Sequence, residues 1–302
     1  VNFSDRVLSN MLLLIDLRRM KLQEFERAAL HELLAEGNTV SEGKAILNEL
    51  LFQKFNWSST DRILSSHRVF SETELLDIKD QLSQIVKGVP VQHITGRAQF
   101  YGMELKVNGD VLIPRPETEE LVQLLANLNP KPKRILDLGT GSGAIALALK
   151  KCYPSAYILG LDVSEEALHI ARENALEQGL EVHFEQGDMT NTSSLKELEA
   201  FDLLVSNPPY IPFSDRSNLS KTVLDYEPNL ALFAPEEDTI YFYKAIVDAA
   251  QFILIDEGTL AVEIHPPKAK EVAAYCEKRN IEFEIGFDLA SRARFIIGKK
   301  KA

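Results

Sequence analysis

The chain has 302 residues, of which 45% are apolar and 26% charged, with a formal net charge of -12 at pH 7. That balance belongs to a folded globular protein with room for one large and one smaller domain, and it excludes extensive disorder. The acidic excess argues against a nucleic acid as the main partner, because such affinity rests on Lys and Arg meeting phosphates. No apolar run is long enough to cross a bilayer. Met11 to Ile15 is too short for a signal-peptide core and leads into Asp16, Arg18 and Arg19, so a cytoplasmic protein with no membrane partner is expected. Cys152 and Cys276 lack any spacing that suggests a disulfide framework or a zinc site, and no metal is expected.

From Asp5 to about Lys87 apolar residues recur at steps of three and four, as in Leu30, Leu33 and Leu34 or Ala45, Ile46, Leu50 and Leu51. This predicts a small all-helical N-terminal domain over residues 1–87. Ser41, Thr60-Asp61, and Ser71 with Glu74 three residues on are its candidate helix caps. Gly88-Val89-Pro90 ends it. Residues 91–107 turn strand-like around Tyr101-Gly102, predicting a β-hairpin linker over 88–110.

Beyond it, over residues 111–302, strands and helices alternate. A proline-stiffened loop, Leu112 to Pro116, enters a helix running from Glu119 to about Leu128, with acidic residues at its positive end. Strands at Arg134–Asp137, Tyr157–Leu161, Val182–Phe184 and Phe201–Val205 follow, with helices from Ala144 and Ser164. Next come a helix over about 239–255, a strand over 259–264, a helix over 268–278, and closing strands at 281–285 and 294–297. Such alternation implies right-handed crossovers and a parallel doubly wound α/β sheet, here with an antiparallel C-terminal edge.

Asp137-Leu138-Gly139-Thr140-Gly141-Ser142-Gly143-Ala144 stands between a strand and a helix, the context in which a glycine-rich match carries weight. Glycines there permit positive φ and close approach of a ligand to the backbone. Gly139, Gly141 and Ala144 also satisfy the dinucleotide fingerprint, while Gly143 and Asp137 favour a different nucleoside. Asp162, closing the second strand, is placed to accept both hydroxyls of a ribose, which serves NAD and S-adenosylmethionine equally. Asp188 follows the third strand where an adenine edge falls, with Met189 placed to pack on the ring. Singly, each aspartate reads as a loop cap. Carboxylates at successive strand ends of one sheet read as a nucleoside site.

Ser206-Asn207-Pro208-Pro209-Tyr210 opens from the end of the apolar run Phe201–Val205. By itself Asn-Pro-Pro is a proline-stiffened turn. At a strand's carboxyl end beside a glycine-rich loop, it offers an amide from Asn207, an unclaimed carbonyl from Pro208 and an aromatic face from Tyr210. These suit a planar group carrying an NH2.

With these motifs in order the chain resembles the class I S-adenosylmethionine-dependent methyltransferases. Gln92 to Gly96, Phe100-Tyr101-Gly102 and Ile113 to Glu119 are similar to the protein-glutamine N5-methyltransferases of the PrmC/HemK family. The resemblance implies a Rossmann-like sheet and S-adenosyl-L-methionine as cofactor. It implies transfer of a methyl group to the glutamine of the Gly-Gly-Gln motif in class 1 peptide chain release factors, which the N-terminal domain helps to bind. It assigns Gly139 to Gly143, Thr140 and Ser142 included, and Asp162, Asp188, Met189 and Asn207 to the cofactor. Asn207, Pro208, Pro209 and Tyr210 fall to the substrate glutamine, with Asn207, Pro208 and Tyr210 catalytic. The alternatives are a ribosomal-protein glutamine methyltransferase, a nucleic-acid adenine or guanine N-methyltransferase, and a fold that only binds a partner. The segment Pro114 to Glu119 favours the release-factor branch, and net charge disfavours the nucleic acid. Ala234 to Asp238 and His265-Pro266-Pro267 depart from the family's usual glycine-containing turns, which bears on loop shape rather than on the reaction.

Overall fold

The computed structural model describes residues 20–301, so the part of the helical reading before Met20 lies outside the described residues. The chain forms two units, Val1–Arg97 and Ala98–Ala302. In the first, α1 (Leu22–Ala35), α2 (Val40–Phe55), α3 (Ser59–Leu64), α4 (Glu72–Val86) and α5 (Val91–Thr95) follow one another. Leu22, Phe25, Leu47, Leu51, Leu75, Ile78 and Leu82 form their shared apolar core. Two caps differ from expectation. Thr39 rather than Ser41 caps α2, accepting from the Glu42 N–H while the Glu42 carboxylate returns to Thr39 N at 2.7 Å. Ser58 rather than Thr60 does the same for α3 with Asp61. In both, the reciprocal bonds need a hydroxyl three residues ahead of the carboxylate, a spacing that Ser41 and Thr60 lack. Ser71 and Glu74 form the expected box. Val91–Thr95 is a helical turn rather than strand, bounded by Pro90 and by Gly96 at φ 68°. These punctuating residues override the β-branched composition between them.

At the boundary, starting from the last residue of the first unit, β1 (Arg97–Phe100) pairs with β2 (Met103–Lys106) in a two-stranded sheet. Tyr101 and Gly102 join them, both at positive φ (49° and 67°), as a tight two-residue hairpin turn requires. Phe100, Met103 and Leu105 are buried in the second unit's core. Then come α6 (Pro116–Leu125), β3 (Arg134–Leu138), α7 (Ala144–Cys152), β4 (Tyr157–Asp162), α8 (Glu165–Gln178), β5 (His183–Gln186), α9 (Thr192–Leu195) and β6 (Phe201–Ser206). They are followed by β7 (Ile211–Pro212), a 3-10 turn at Phe213–Asn218, α10 (Lys221–Tyr226), α11 (Asn229–Leu232) and β8 (Phe233–Ala234). The chain ends with α12 (Tyr241–Ile253), β9 (Leu254–Glu263), α13 (Ala269–Lys278), β10 (Ile281–Phe287) and β11 (Ala293–Lys300).

Seven strands make one sheet in the order β10-β11-β9-β6-β3-β4-β5. Pairs among β9, β6, β3, β4 and β5 are parallel, while β11 lies antiparallel between β9 and β10. Because both faces are covered, the central strands read as continuous apolar runs. Ile135, Leu203 and Val205 face α6, α7 and α8, whereas Leu136, Leu138 and Leu204 face α12 and α13. Full burial of each such side chain contributes roughly 1.5–3 kcal/mol.

Strand order reverses between β3 and β6, and ligands in open α/β sheets bind beyond the carboxyl ends at that point. The register makes this concrete. Leu138 pairs with both Leu161 and Ser206, Asp162 with Gln186, and Ser206 with Val262. The segments starting at Gly139, Asp162, Gly187, Asn207 and Glu263 therefore leave the sheet along one edge.

Candidate active site

A cavity of about 360 Å3 opens along that edge. Of the residues singled out in the sequence, Gly139, Thr140, Gly141, Ser142, Asp162, Asp188, Met189, Asn207 and Pro209 line it. Gly143, Pro208 and Tyr210 do not: Gly143 caps α7 and Pro208 is buried. Tyr210 lies against His265, ring centroids 5.5 Å apart and 14° from parallel, with its hydroxyl 3.4 Å from Glu263 Oε1.

The glycine-rich loop is fixed from below and from the side. Asp137 is fully buried, and its Oδ2 accepts the Thr140 hydroxyl at 2.7 Å. Burial pushes the Asp137 carboxyl up to about 7, against the opposing pull of the Thr140 hydroxyl and the Ala146 N–H. Gly139 sits at φ 72°, and a Cβ there would stand 2.8 Å from the Met189 methyl group. Gly141, at φ 55°, directs its N–H to Asp162 Oδ2 at 2.8 Å. The other Asp162 oxygen accepts from Ser164 N at 3.0 Å. Burial raises the Asp162 pKa, opposed by the backbone N–H groups aimed at it. Asp188 turns one oxygen to the Thr190 N–H and hydroxyl.

On the facing wall, Ser206 donates its hydroxyl to the Leu138 carbonyl at 2.6 Å, tying the Asn207 loop to the glycine-rich strand. The Asn207 amide donates from Nδ2 to Thr118 Oγ1 at 3.2 Å. Thr118 in turn donates to Glu263 Oε2 at 2.7 Å. Thr118 is 5% exposed and Glu263 1%. Burial pushes the Glu263 carboxyl up to about 7 against the opposing pull of Thr118 and Arg294. In the sequence Thr118 falls within the segment Ile113 to Glu119 and Glu263 within the strand expected over 259–264, neither with a role of its own. They meet only through the fold: Thr118 lies 145 residues from Glu263 and 89 from Asn207 along the chain.

The cavity wall also includes Arg115 and Pro228, and an ion pair joins their segments. Arg115 Nη2 reaches both oxygens of Glu227, at 2.6 and 2.8 Å, and the Ile113 N–H adds a third bond at 3.2 Å. The two departures from the family pattern are held locally. Glu236 accepts from Ser214 N and Asp238 pairs with Lys244. The His265 N–H donates to the Tyr243 hydroxyl at 2.9 Å.

The cavity suits S-adenosylmethionine. It combines a glycine loop whose positive φ at Gly139 disfavours a side chain, a half-buried carboxylate with lone pairs to spare, and a methionine beside the loop. The solved structure of a methyltransferase from Pyrococcus furiosus matches 74% of this chain and 100% of its own length, at a TM-score of 0.50 and 15% identity. The hMettl16 catalytic domain matches 78% of this chain and 84% of its own, at a TM-score of 0.53 and 14% identity. A methyltransferase domain model matches residues 130–234, and a PrmC N-terminal domain model residues 27–96. The fold and the domain models define a class I S-adenosylmethionine-dependent methyltransferase with a helical N-terminal region.

Among curated proteins, the release factor glutamine methyltransferase of Streptococcus pneumoniae is 41% identical over 81% of this chain and 85% of its own length. That of Flavobacterium psychrophilum is 38% identical over 74% and 79%, and that of Bacillus cereus 30% identical over 93% and 99%. The chain belongs to the release factor glutamine methyltransferase family. No helix among the described residues is long and apolar enough to cross a membrane.

Proposed function

We propose that this protein transfers a methyl group from S-adenosylmethionine to the side-chain amide nitrogen of the glutamine in the Gly-Gly-Gln motif of class 1 release factors, in the cytoplasm. The observation that carries this reading is the orientation of Asn207. With its NH2 committed to Thr118, Asn207 keeps Oδ1 as an acceptor at the cavity wall. An amide NH2 is the complementary donor.

An amide nitrogen is a poor nucleophile because its lone pair is delocalised into the carbonyl. S-adenosylmethionine supplies a methyl group already activated by the sulfonium. The chain's own residues supply orientation. Asn207 Oδ1 and the Pro208 carbonyl accept the two N–H bonds of the substrate amide and hold the nitrogen facing the cavity. Positioning of this kind contributes on the order of 7–11 kcal/mol in favourable cases. The resemblance assigns Pro209 and Tyr210 to the amide plane, where an aromatic face would favour developing positive charge; Pro209 lines the cavity, whereas Tyr210 lies outside its lining, stacked on His265. Proton loss needs no strong base beforehand, since the nitrogen becomes acidic as the new bond forms. Gly139 to Gly143, Asp162, Asp188 and Met189 hold the cofactor, with Asp162 on the ribose hydroxyls.

Labelled methyl transfer tests the reading. Label is expected in purified class 1 release factor and not in ribosomal protein or RNA. Label in either of the latter instead of release factor overturns it. The helical N-terminal region, residues 1–87 in the sequence reading, is assigned to docking the intact release factor. Truncation belongs at Arg97 rather than nearer residue 110, because Phe100, Met103 and Leu105 are part of the second unit's core. The shortened protein is expected to bind S-adenosylmethionine as before, to methylate intact release factor at least about tenfold more slowly, and to lose less on a short Gly-Gly-Gln peptide. Equal loss on peptide and protein removes the docking role.

A further inference from the structure

We propose that Thr118 and Glu263 are positioning residues for methyl transfer: through one chain of hydrogen bonds they set which way the Asn207 amide faces. The inference rests on the reading that Asn207 Oδ1 receives the substrate amide. A carboxylate only accepts hydrogen bonds, so the Thr118 hydroxyl, 2.7 Å from Glu263 Oε2, must give it its proton. Thr118 Oγ1 then has only lone pairs for Asn207, and the group it meets at 3.2 Å must be the NH2. The rotamer that places Oδ1 at the cavity is thus imposed from two residues away. Reversed, Asn207 would face the substrate NH2 with its own NH2, donor against donor.

The polarity depends on the charge state of Glu263. Around it lie Thr118 and Glu117 of α6, Tyr210 beyond β6, Tyr243 of α12, and Arg294 of β11, with His265 next but one in sequence. Glu117 is paired with Arg292 at 3.0 Å, and Arg294 approaches Asp288 at 3.4 Å. Arg294 favours the carboxylate and Glu117 opposes it, but burial outweighs both and holds the group near 7. Once protonated, Glu263 can donate to Thr118 Oγ1, the Thr118 proton turns to Asn207, and the amide flips to accept it. The sign follows directly: the productive polarity is present above the Glu263 pKa and is lost as pH falls through it. The substrate amide itself neither gains nor loses a proton in this range.

The test uses the full-length protein with release factor as substrate and calorimetry for S-adenosylmethionine. Thr118→Val keeps the shape and deletes the relay. It is expected to lower kcat about tenfold or more, with cofactor Kd within about twofold of wild type. Thr118→Ser, which restores the hydroxyl, should recover most of that loss. In the wild type, kcat should rise with pH through roughly neutrality and level off. Glu263→Gln is neutral at every pH and keeps an oxygen that can accept from Thr118, so it should give a flat profile without the acid limb. Unaltered cofactor affinity reports intact folding in each variant. A Thr118→Val protein with wild-type kcat, or a Glu263→Gln protein that keeps the acid limb, overturns the proposal. If Asn207→Ala is inactive while Thr118→Val is fully active, only the relay falls. If Asn207→Ala is itself active, the underlying reading falls first.

Discussion

Asn207→Ala is expected to lower turnover on release factor by about 100-fold or more while weakening affinity for S-adenosylmethionine far less. The backbone that carries Asn207 is held without its side chain. Ser206 is bonded to the Leu138 carbonyl, and two prolines follow, so truncation leaves the Pro208 carbonyl where it was. One of the two acceptors that aim the amide nitrogen disappears. Misplacement by about 1 Å already costs ~100-fold, which sets the scale of the loss. Asn207→Asp separates aim from occupancy. It keeps an oxygen but adds a negative charge at the site of a cationic cofactor, holding the ground state more tightly than a transition state in which that charge disperses. It also turns an acceptor toward Thr118, whose proton is already committed to Glu263. The Asp variant should therefore bind cofactor well and turn over slowly. Single-turnover methyl transfer together with calorimetry reads both quantities. Near wild-type transfer by the Ala variant would refute Asn207 as the orienting residue.

What was legible in the sequence is what chemistry writes in contiguous residues. The glycine loop, the aspartates at strand ends and the Asn-Pro-Pro-Tyr turn each announce themselves within a few positions. The parallel doubly wound sheet that gathers them follows from alternating elements and right-handed crossovers, its strand order only from the fold. The Thr118–Glu263 relay was not legible, although Thr118 lies in a segment similar to the family's and Glu263 in an expected strand. Its members lie on α6 and β9, and only the pairing of Ser206 with Val262 brings Glu263 beside the Asn207 loop. Nothing in local sequence reports that register. The same limit explains Asp162. Read alone it is a ribose acceptor, whereas in the fold it also anchors the backbone at Gly141 and Ser164. Arg115 and Glu227 meet at a separation of 112 residues for the same reason. The errors at Ser41, Thr60 and Val91–Thr95 are of another kind. There the local signal was present, but a neighbouring hydroxyl or a pair of punctuating residues outweighed it.

Asp162→Ala is expected to raise the dissociation constant for S-adenosylmethionine about 100-fold or more, beyond the loss of a single ribose hydrogen bond. One bond to a charged acceptor contributes roughly 1.5–3 kcal/mol, and each 1.4 kcal/mol is a factor of ten. The carboxylate has a second task, accepting from Gly141 N at 2.8 Å and Ser164 N at 3.0 Å. Without it, both N–H groups lose their partner and the glycine loop loses its lateral tie, although Asp137 still holds Thr140 from below. Asp162→Asn is no rescue: its NH2 must face one of those two N–H donors. A cofactor analogue lacking the ribose hydroxyls separates the two contributions. Wild type should bind it more weakly than the parent compound, whereas Asp162→Ala should bind the two alike and both more weakly than wild type binds the analogue. The last difference measures loop organisation alone. If Asp162→Ala matches wild type on the analogue, the carboxylate acts only through the ribose. If it also discriminates between the two compounds as wild type does, the ribose lies elsewhere in the cavity.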